Sequence, residues 1–339
     1  MSKGWDVIGI GNALMDALVV LPDDDGFFEA LGLTRGMMHP VDHDGWMKVF
    51  ERVRHLEVQL DSGGSCANTI ATLGRLGARV TYRGQVGDDD LGRTYTERLL
   101  DACGTHRLRT CAQGGATGKC LSLVSPTDAE RTMVTDLGAA VGLSDLGEVA
   151  DDLEHTRVAH FTGYTLLDGP PHDVVIDAMA RAKRAGALVS LDVADPFVVQ
   201  AIRDRLWHVL ERYVDVVFLN AEEARSLTDE APEDAAEAIA RQAGVSTIVV
   251  KLGSRGSVVW HEGNAFPVQI ERVKAIDTTG AGDAYAGGFL YGLLEGWPLA
   301  DAGRLGSAVA ALTVSQLGAV VKDRSALAAA VERLRPRAA

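Results

Sequence analysis

Residues 277–289 read Asp277-Thr278-Thr279-Gly280-Ala281-Gly282-Asp283-Ala284-Tyr285-Ala286-Gly287-Gly288-Phe289, and Leu290, Leu293 and Leu294 follow at helical spacing. The stretch is a loop of small residues that opens a buried helix. Because Gly280, Ala281 and Gly282 carry almost no side chain, their backbone N–H groups can converge on an anion, with the positive end of the helix behind them. Asp283 falls in the first helical turn, where an acidic residue would serve as a plain cap. Capping alone asks neither for the glycines before it nor for Gly287 and Gly288 inside the helix, each of which costs about 1 kcal/mol relative to alanine. As a general base, Asp283 would take the proton of an alcohol beside the anion hollow. The two devices together predict phosphoryl transfer to a hydroxyl.

Outward from this loop the chain alternates strands and helices. Trp5 to Ile10 is a short apolar run closed by Gly11 and Asn12, as expected of a buried strand. Helical spacing over Asn68 to Leu76, a strand at Val80 to Tyr82 and a helix at Gly92 to Ala102 continue the rhythm. It resumes with strands at Arg157 to Phe161, Leu188 to Asp192, Val214 to Leu219 and Thr247 to Lys251, with helices at Asp173 to Ala185 and from Ala221. Such alternation predicts an α/β fold with a mostly parallel sheet covered on both faces. Residues 17–40 and 110–137 break the rhythm, and Lys119 to Val124 alternates like a half-exposed strand. Both segments are expected to pair into a small discontinuous β lid. The acidic cluster Asp23-Asp24-Asp25 reads as a solvated turn.

The composition suits a soluble enzyme: 339 residues, 47% apolar and 24% charged, with no apolar run long enough for a membrane span. A formal net charge of -14 repels nucleic acid, so a phosphate site must be a local device of backbone amides and magnesium. Cys66, Cys103, Cys111 and Cys120 lack CxxC spacing and no signal sequence precedes them, which predicts reduced thiols and a cytoplasmic protein. Three motifs fail on inspection. Gly9 to Leu14 has Leu14 where a dinucleotide fingerprint needs its third glycine. Residues 113–120 have Gln113 and Cys120 at two essential positions of a Walker A loop. Gly63 to Ala67 lacks the last glycine of a nucleophile elbow, which leaves a hydrolase using Ser65 as a distant reading. His39 and His43, separated by Pro40, read as surface histidines.

At 277–283 the sequence resembles the PfkB, or ribokinase-like, family of sugar and nucleoside kinases, whose signature has the form DTxGAGD. Gly63, Gly64, Ala67 and Asn68 match its GGxxAN segment, residues 84–92 (GQVGDDDLG) its GxVGxDxxG, Asn220 to Glu223 its NxxE and residues 251–256 (KLGSRG) its nucleotide-binding turn. The resemblance implies one ribokinase-like kinase domain over residues 1–339, a three-layer α/β/α architecture with the lid attached, acting as a monomer or as a homodimer through the lid. It implies ATP as donor, Asp283 as catalytic base and Gly280, Ala281 and Gly282 as anion hole. Asn220 and Glu223 resemble the pair that organises magnesium through water; a helix N-terminus alone would explain Asn220 but not Glu223. Lys251, Gly253 and Gly256 resemble part of the ATP site, and Ser307 to Ala311 the helix under the adenine, with Ser307 where several relatives carry Asn. Asp277, Thr279 and Gly318 fall where potassium-dependent relatives hold a monovalent cation.

For the acceptor, the resemblance implies Asp16 and Asn12 after the first strand, with Gly63, Gly64 and Asn68, as ligands of vicinal hydroxyls. Ribokinase proper has a glutamate where this chain reads Thr162-Gly163-Tyr164. Residues 130–140 (ERTMVTDLGAA) resemble the lid-proximal segment of adenosine kinases more than the arginine-containing version of 2-keto-3-deoxygluconate kinases. Both departures favour a nucleoside, its base held near Tyr164 and Met133. The expectation is an adenosine kinase-like enzyme acting on a primary 5′-hydroxyl. The alternatives are a kinase of ribose, fructose or a keto-deoxy sugar, and a catalytically silent nucleoside-binding protein.

Overall fold

The computed structural model describes residues 4–22, 26–111 and 114–336. The Asp23–Asp25 cluster and Gln113 lie outside the described residues. In chain order the strands are β1 (Val7–Ile10), β2 (Leu14–Val20), β3 (Met38–Pro40), β4 (Gln59–Gly63), β5 (Val80–Arg83), β6 (Gln85–Val86), β7 (Arg109–Thr110), β8 (Gly118–Val124), β9 (Arg131–Asp136), β10 (Val158–Thr162), β11 (Leu188–Asp192), β12 (Val216–Asn220), β13 (Thr247–Lys251), β14 (Ser257–His261) and β15 (Asn264–Val268).

An eight-stranded sheet runs β15-β14-β13-β12-β11-β10-β1-β5. From β5 to β13 every pair is parallel, and β14 and β15 add an antiparallel edge. Successive side chains point to opposite faces, so each strand feeds two cores. Ile8, Ile10, Phe161 and Leu191 pack against Val174 and Met179 of the helix Pro170–Ala185 and Leu206 of the helix Pro196–Tyr213. Val7, Val158, Val216 and Phe218 pack on the other face against Ile70 and Leu73 of the helix Ser65–Leu76 and Phe289 of the helix Ala281–Leu294. The expected α/β fold, with a mostly parallel sheet and helices on both faces, is thus present. The antiparallel edge was not anticipated. It is a hairpin whose two turn residues, Glu262 and Gly263, both have positive φ, the geometry that matches strand twist in a two-residue loop.

A second sheet has the order β3-β9-β8-β2-β4. Its strands come from residues 14–63 and 118–136, so the first segment starts earlier and runs well past the expected limit at residue 40. The reason is local: Pro40 ends the short β3, while Asp42 caps a further helix, His43–Val53, whose Trp46, Val49 and Val53 recur at helical spacing. That helix covers Val19, Leu121, Leu123 and Val134 on the outer face of the sheet. His43 opens the helix with Nδ1 3.1 Å from Lys119 Nζ, and His39 Nε2 lies 3.0 Å from the Thr34 amide nitrogen.

Candidate active site

The chain leaves β1 for β5 on one side and later returns to β10 on the other, which opens a crevice at the carboxyl ends of these strands. Asn12 follows β1, and Thr162, Asp192, Asn220 and Lys251 are the last residues of β10, β11, β12 and β13. Four successive parallel strands therefore deliver polar side chains to one rim, opposite the loop before the helix Ala281–Leu294.

Asp283 lies in the first turn of that helix, with both carboxylate oxygens engaged by a different helix. Ser65 Oγ donates to Oδ1 at 2.6 Å and Asn68 Nδ2 to Oδ2 at 3.0 Å. Burial pushes the Asp283 carboxyl up to about 6, held there by the opposing hydrogen bonds from Ser65 and Asn68, with Asp192 raising and Lys251 lowering it. It is therefore ionised at neutral pH yet close enough to neutrality to accept a proton, as a general base requires. The Asn68 donor serves Asp283, and only its buried Oδ1 is left without a partner. Asn68 thus leaves its Oδ1 as an unpartnered acceptor, with one of its two amide N–H groups committed to Asp283.

Gly280 has φ +72°, and a Cβ there would lie 2.6 Å from Ala319 Cα, so both conformation and space require glycine. At Gly282 an added Cβ would lie 3.0 Å from Lys251 Nζ. The Lys251 ammonium group thus lies close against the backbone at Gly282. Lys251 Nζ donates to Asp192 Oδ2 at 2.7 Å. Burial opposes its charge, but Asp192 and Glu223 outweigh burial and hold its pKa above the ordinary value. Asp192 also accepts from the Ala194 amide through Oδ1, pinning Ala194 at φ +76°, a strained conformation for a residue with a Cβ.

Asn220 and Glu223 form a reciprocal cap. Asn220 Oδ1 accepts from the Glu223 amide at 2.8 Å, while Glu223 Oε2 accepts from the Asn220 amide at 2.8 Å and Oε1 from Asn220 Nδ2. A helix N-terminus therefore accounts for both residues, contrary to the expectation that it would leave Glu223 unexplained. Burial raises the Glu223 pKa, Lys251 opposes it, and Asp192 adds to the rise.

Asp277 is fully buried and closes the other end of the loop. Its Oδ1 accepts from the Thr279 amide at 2.8 Å and Thr279 Oγ1 at 2.6 Å, and Oδ2 from the Gly318 amide at 2.9 Å. Asp277, Thr279 and Gly318 do converge, as a clamp made by three donors on one carboxylate.

A cavity beside Asp283 is lined by both sheets. Asn12, Gly64, Asn68, Thr162 and Tyr164 come from the larger sheet and its connections, and Leu14, Asp16, Met38, Arg131, Met133 and Leu137 from the smaller sheet and its flank. Asp16 is 7% exposed, and among the described residues no side chain or amide donates to its carboxylate. Gly63 makes room for it, since a Cβ there would sit 2.1 Å from the carboxyl carbon. Burial pushes Asp16 up to about 8, with Asp61, Asp283 and Asp277 adding and Arg131 opposing. The Tyr164 hydroxyl donates to Asp195 Oδ2 at 3.1 Å. The remaining nucleotide-site expectations gather elsewhere. Gly253 and Gly256, with φ +61° and +92°, form the turn between β13 and β14, and Gly256 packs against Val268 O. Ser307 Oγ donates to Gln269 O at 3.1 Å, and Ala311 is buried one turn further along the helix Leu299–Val314.

Sequence reading missed Asp192 and Arg131, and read Ser65 only as a distant candidate nucleophile. An aspartate ending an apolar strand was the available signal for Asp192. Arg131 lies within the segment read as unlike its arginine-containing counterparts, yet its side chain lines the cavity and donates to Thr278 O at 3.2 Å. That segment therefore does not argue against an anionic sugar. Among the described residues no group of three His, Cys, Asp or Glu is placed to hold a metal ion, Cys66, Cys103 and Cys120 form no disulfide, and no helix is long and apolar enough to cross a membrane.

Residues 46–325 match the model of the pfkB family carbohydrate kinases. The chain is 31% identical to the adenosine kinase of Saccharomyces cerevisiae, covering 81% of this chain and 84% of that one. It is 28% identical to the 5-dehydro-2-deoxygluconokinase of Geobacillus thermodenitrificans, over 75% of this chain and 78% of that one. The crystal structure of adenosine kinase from Sinorhizobium meliloti superposes with a TM-score of 0.89 at 32% identity, covering 97% of this chain and 99% of that chain. With a sheet, crevice and glycine loop of this kind under a family match that spans most of its length, the chain belongs to the pfkB family carbohydrate kinases, and it is a kinase.

Proposed function

We propose that this kinase transfers the γ-phosphoryl group of ATP to the primary 5′-hydroxyl of a purine nucleoside, adenosine first. The two-sided cavity carries the reading: the Asp16 carboxyl and the unpartnered Asn68 Oδ1 share it with a wall of Leu14, Met38, Met133, Leu137 and Tyr164. A ribose would place its vicinal hydroxyls on the acceptors, and a flat apolar base would cover the wall. A free sugar would leave that wall wet. Similarity to adenosine kinases supports the same choice.

In this reading Asp283 removes the proton of the acceptor hydroxyl as the oxygen's electron pair attacks the γ-phosphorus, and the bond to the β-phosphate oxygen breaks to release ADP. The hollow of Gly280 to Gly282 and the Lys251 ammonium receive the charge on the transferring group. Magnesium fits as a partner of the phosphates: Glu223 and Asp192 stand near enough to Lys251 to couple with it electrostatically, and with both Glu223 oxygens already accepting from Asn220 they would order its waters. The bound metal would supply charge neutralisation.

Arg131 in the cavity favours a second reading, a keto-deoxy sugar acid as acceptor, and the 5-dehydro-2-deoxygluconokinase relatives point the same way. ATP consumption measured over a panel of adenosine, inosine, ribose, fructose and keto-deoxy sugars decides between them. Adenosine should give the highest kcat/KM; a free sugar above every nucleoside would replace the nucleoside reading.

A further inference from the structure

Ser65 was singled out in the sequence as a distant candidate nucleophile. The structure gives its hydroxyl one hydrogen-bond partner among the described residues, Asp283, and no histidine. We propose that Ser65 is a positioning residue for phosphoryl transfer: its O–H, acting with the Asn68 amide, holds the Asp283 carboxylate ionised and in one orientation toward the acceptor hydroxyl. The inference rests on the reading of Asp283 as the base.

The local fold is built for this. Gly64, with φ +93°, makes a turn that brings the chain so close to Asn12 that a Cβ would lie 2.2 Å from its carbonyl oxygen. The helix Ser65–Leu76 then starts with Ser65 and Asn68 on the same side, three residues apart. One donor reaches each oxygen of Asp283, at 2.6 and 3.0 Å. Two anchors on one carboxylate prevent its rotation, and each oxygen keeps a lone pair for the incoming proton. The carboxylate also lies at the N-terminal ends of two helices, its own and Ser65–Leu76, where negative charge is favoured.

The charged and titratable groups around Asp283 pull in both directions. Lys251 at the end of β13 favours the carboxylate and Asp192 at the end of β11 opposes it, while Asp16 in β2 and Cys66 beside Ser65 are themselves pushed up by its charge. Burial is the largest influence against ionisation, and the Ser65 hydrogen bond comes first among those restoring it. Without Ser65 the base would therefore be protonated at higher pH, and activity would need a more alkaline medium.

The test is the pH dependence of kcat and kcat/KM for the best acceptor of the panel, on the full chain at saturating ATP. Ser65→Ala should move the acid limb upward by about one pH unit, on the scale of a hydrogen bond to a charged group, and recover to within a few-fold of the parent at alkaline pH. Ser65→Cys, of similar shape and a weaker donor, should shift the limb in the same direction by less, and keeps the test decisive if the alanine variant folds poorly. Ser65→Thr should retain the parent limb. An acid limb unmoved in Ser65→Ala and Ser65→Cys, or a loss equal at every pH, overturns the role of Ser65 while leaving the base in place. Full activity of Asp283→Asn would instead overturn the reading beneath it.

Discussion

The two sheets meet at one cavity but contribute to it by different means. The larger sheet offers the ends of things: the last residues of β10 to β13, the N-terminus of Ala281–Leu294 and the glycine hollow before it. The smaller sheet offers a face. Along β2, β8 and β9, Ala17, Val19, Leu121, Leu123 and Val134 point outward into a core of their own. The alternating residues Leu14, Asp16, Cys120, Ser122, Met133 and Thr135 point into the cavity. Groups at element ends owe their chemistry to backbone geometry and serve any acceptor; groups on a face can be changed singly, and suit selection among acceptors. The two regions are stitched at the loop itself, where Arg131 donates to Thr278 O and Thr278 Oγ1 to Ala129 O.

The contrast breaks most visibly at Asp283. Asp283→Asn should lower kcat by roughly 10²-fold or more for every acceptor while leaving ATP affinity almost unchanged, measured by steady-state kinetics and calorimetric titration. The variant should still fold, because Asn68 can turn its free Oδ1 toward the new amide. Retained activity within a few-fold would show that the larger sheet does not carry the chemistry.

Asp16 gives the next largest effect and comes from the smaller sheet. Asp16→Ala should cut kcat/KM by about 10- to 100-fold for nucleosides and sugars alike, since each loses its hydrogen bonds to the Asp16 carboxyl. Stability should change the opposite way in Asp16→Asn. The folded pKa stands near 8 against an ordinary 3.8, so between those values the native state holds a proton that the unfolded chain has released. Stability therefore falls as pH rises through that window. Asp16→Asn removes the fall, and its melting temperature should exceed the parent's by several degrees at pH 8 and above. Equal melting curves at that pH would mean that the carboxylate is not desolvated.

The smallest effect sharpens the comparison. Tyr164→Ala should weaken nucleosides selectively, by roughly the 1–3 kcal/mol of stacking a base on an aromatic ring, and leave ribose almost untouched. Equal losses for adenosine and ribose would mean that Tyr164 supports the cavity through Asp195 and does not read the base.

Legibility in the sequence followed the same division. The loop 277–283 was readable because three small residues before an acid in a helix's first turn have few other uses. The strands β1, β5 and β10 to β13 were readable because burial on both faces makes them unbroken apolar runs. The helix His43–Val53 was hidden behind Pro40, and β4 by its polar makeup, residues 59–63 reading QLDSG. The hairpin β14–β15 was hidden because Glu262, not the usual Asn or Asp, precedes Gly263 in its turn.

The sequence by itself determined the α/β class, the glycine loop and the acid beside it, since glycine placement and apolar periodicity are local properties. Only the tertiary structure decided what each polar group does. It turned Asn68 toward Asp283 and closed Glu223 into a cap with Asn220. It made Asp277 a clamp on Gly318, and left Asp16 without a donor. A carboxylate's role depends on which donors surround it and how far water is excluded, and here those donors lie up to 218 residues away along the chain.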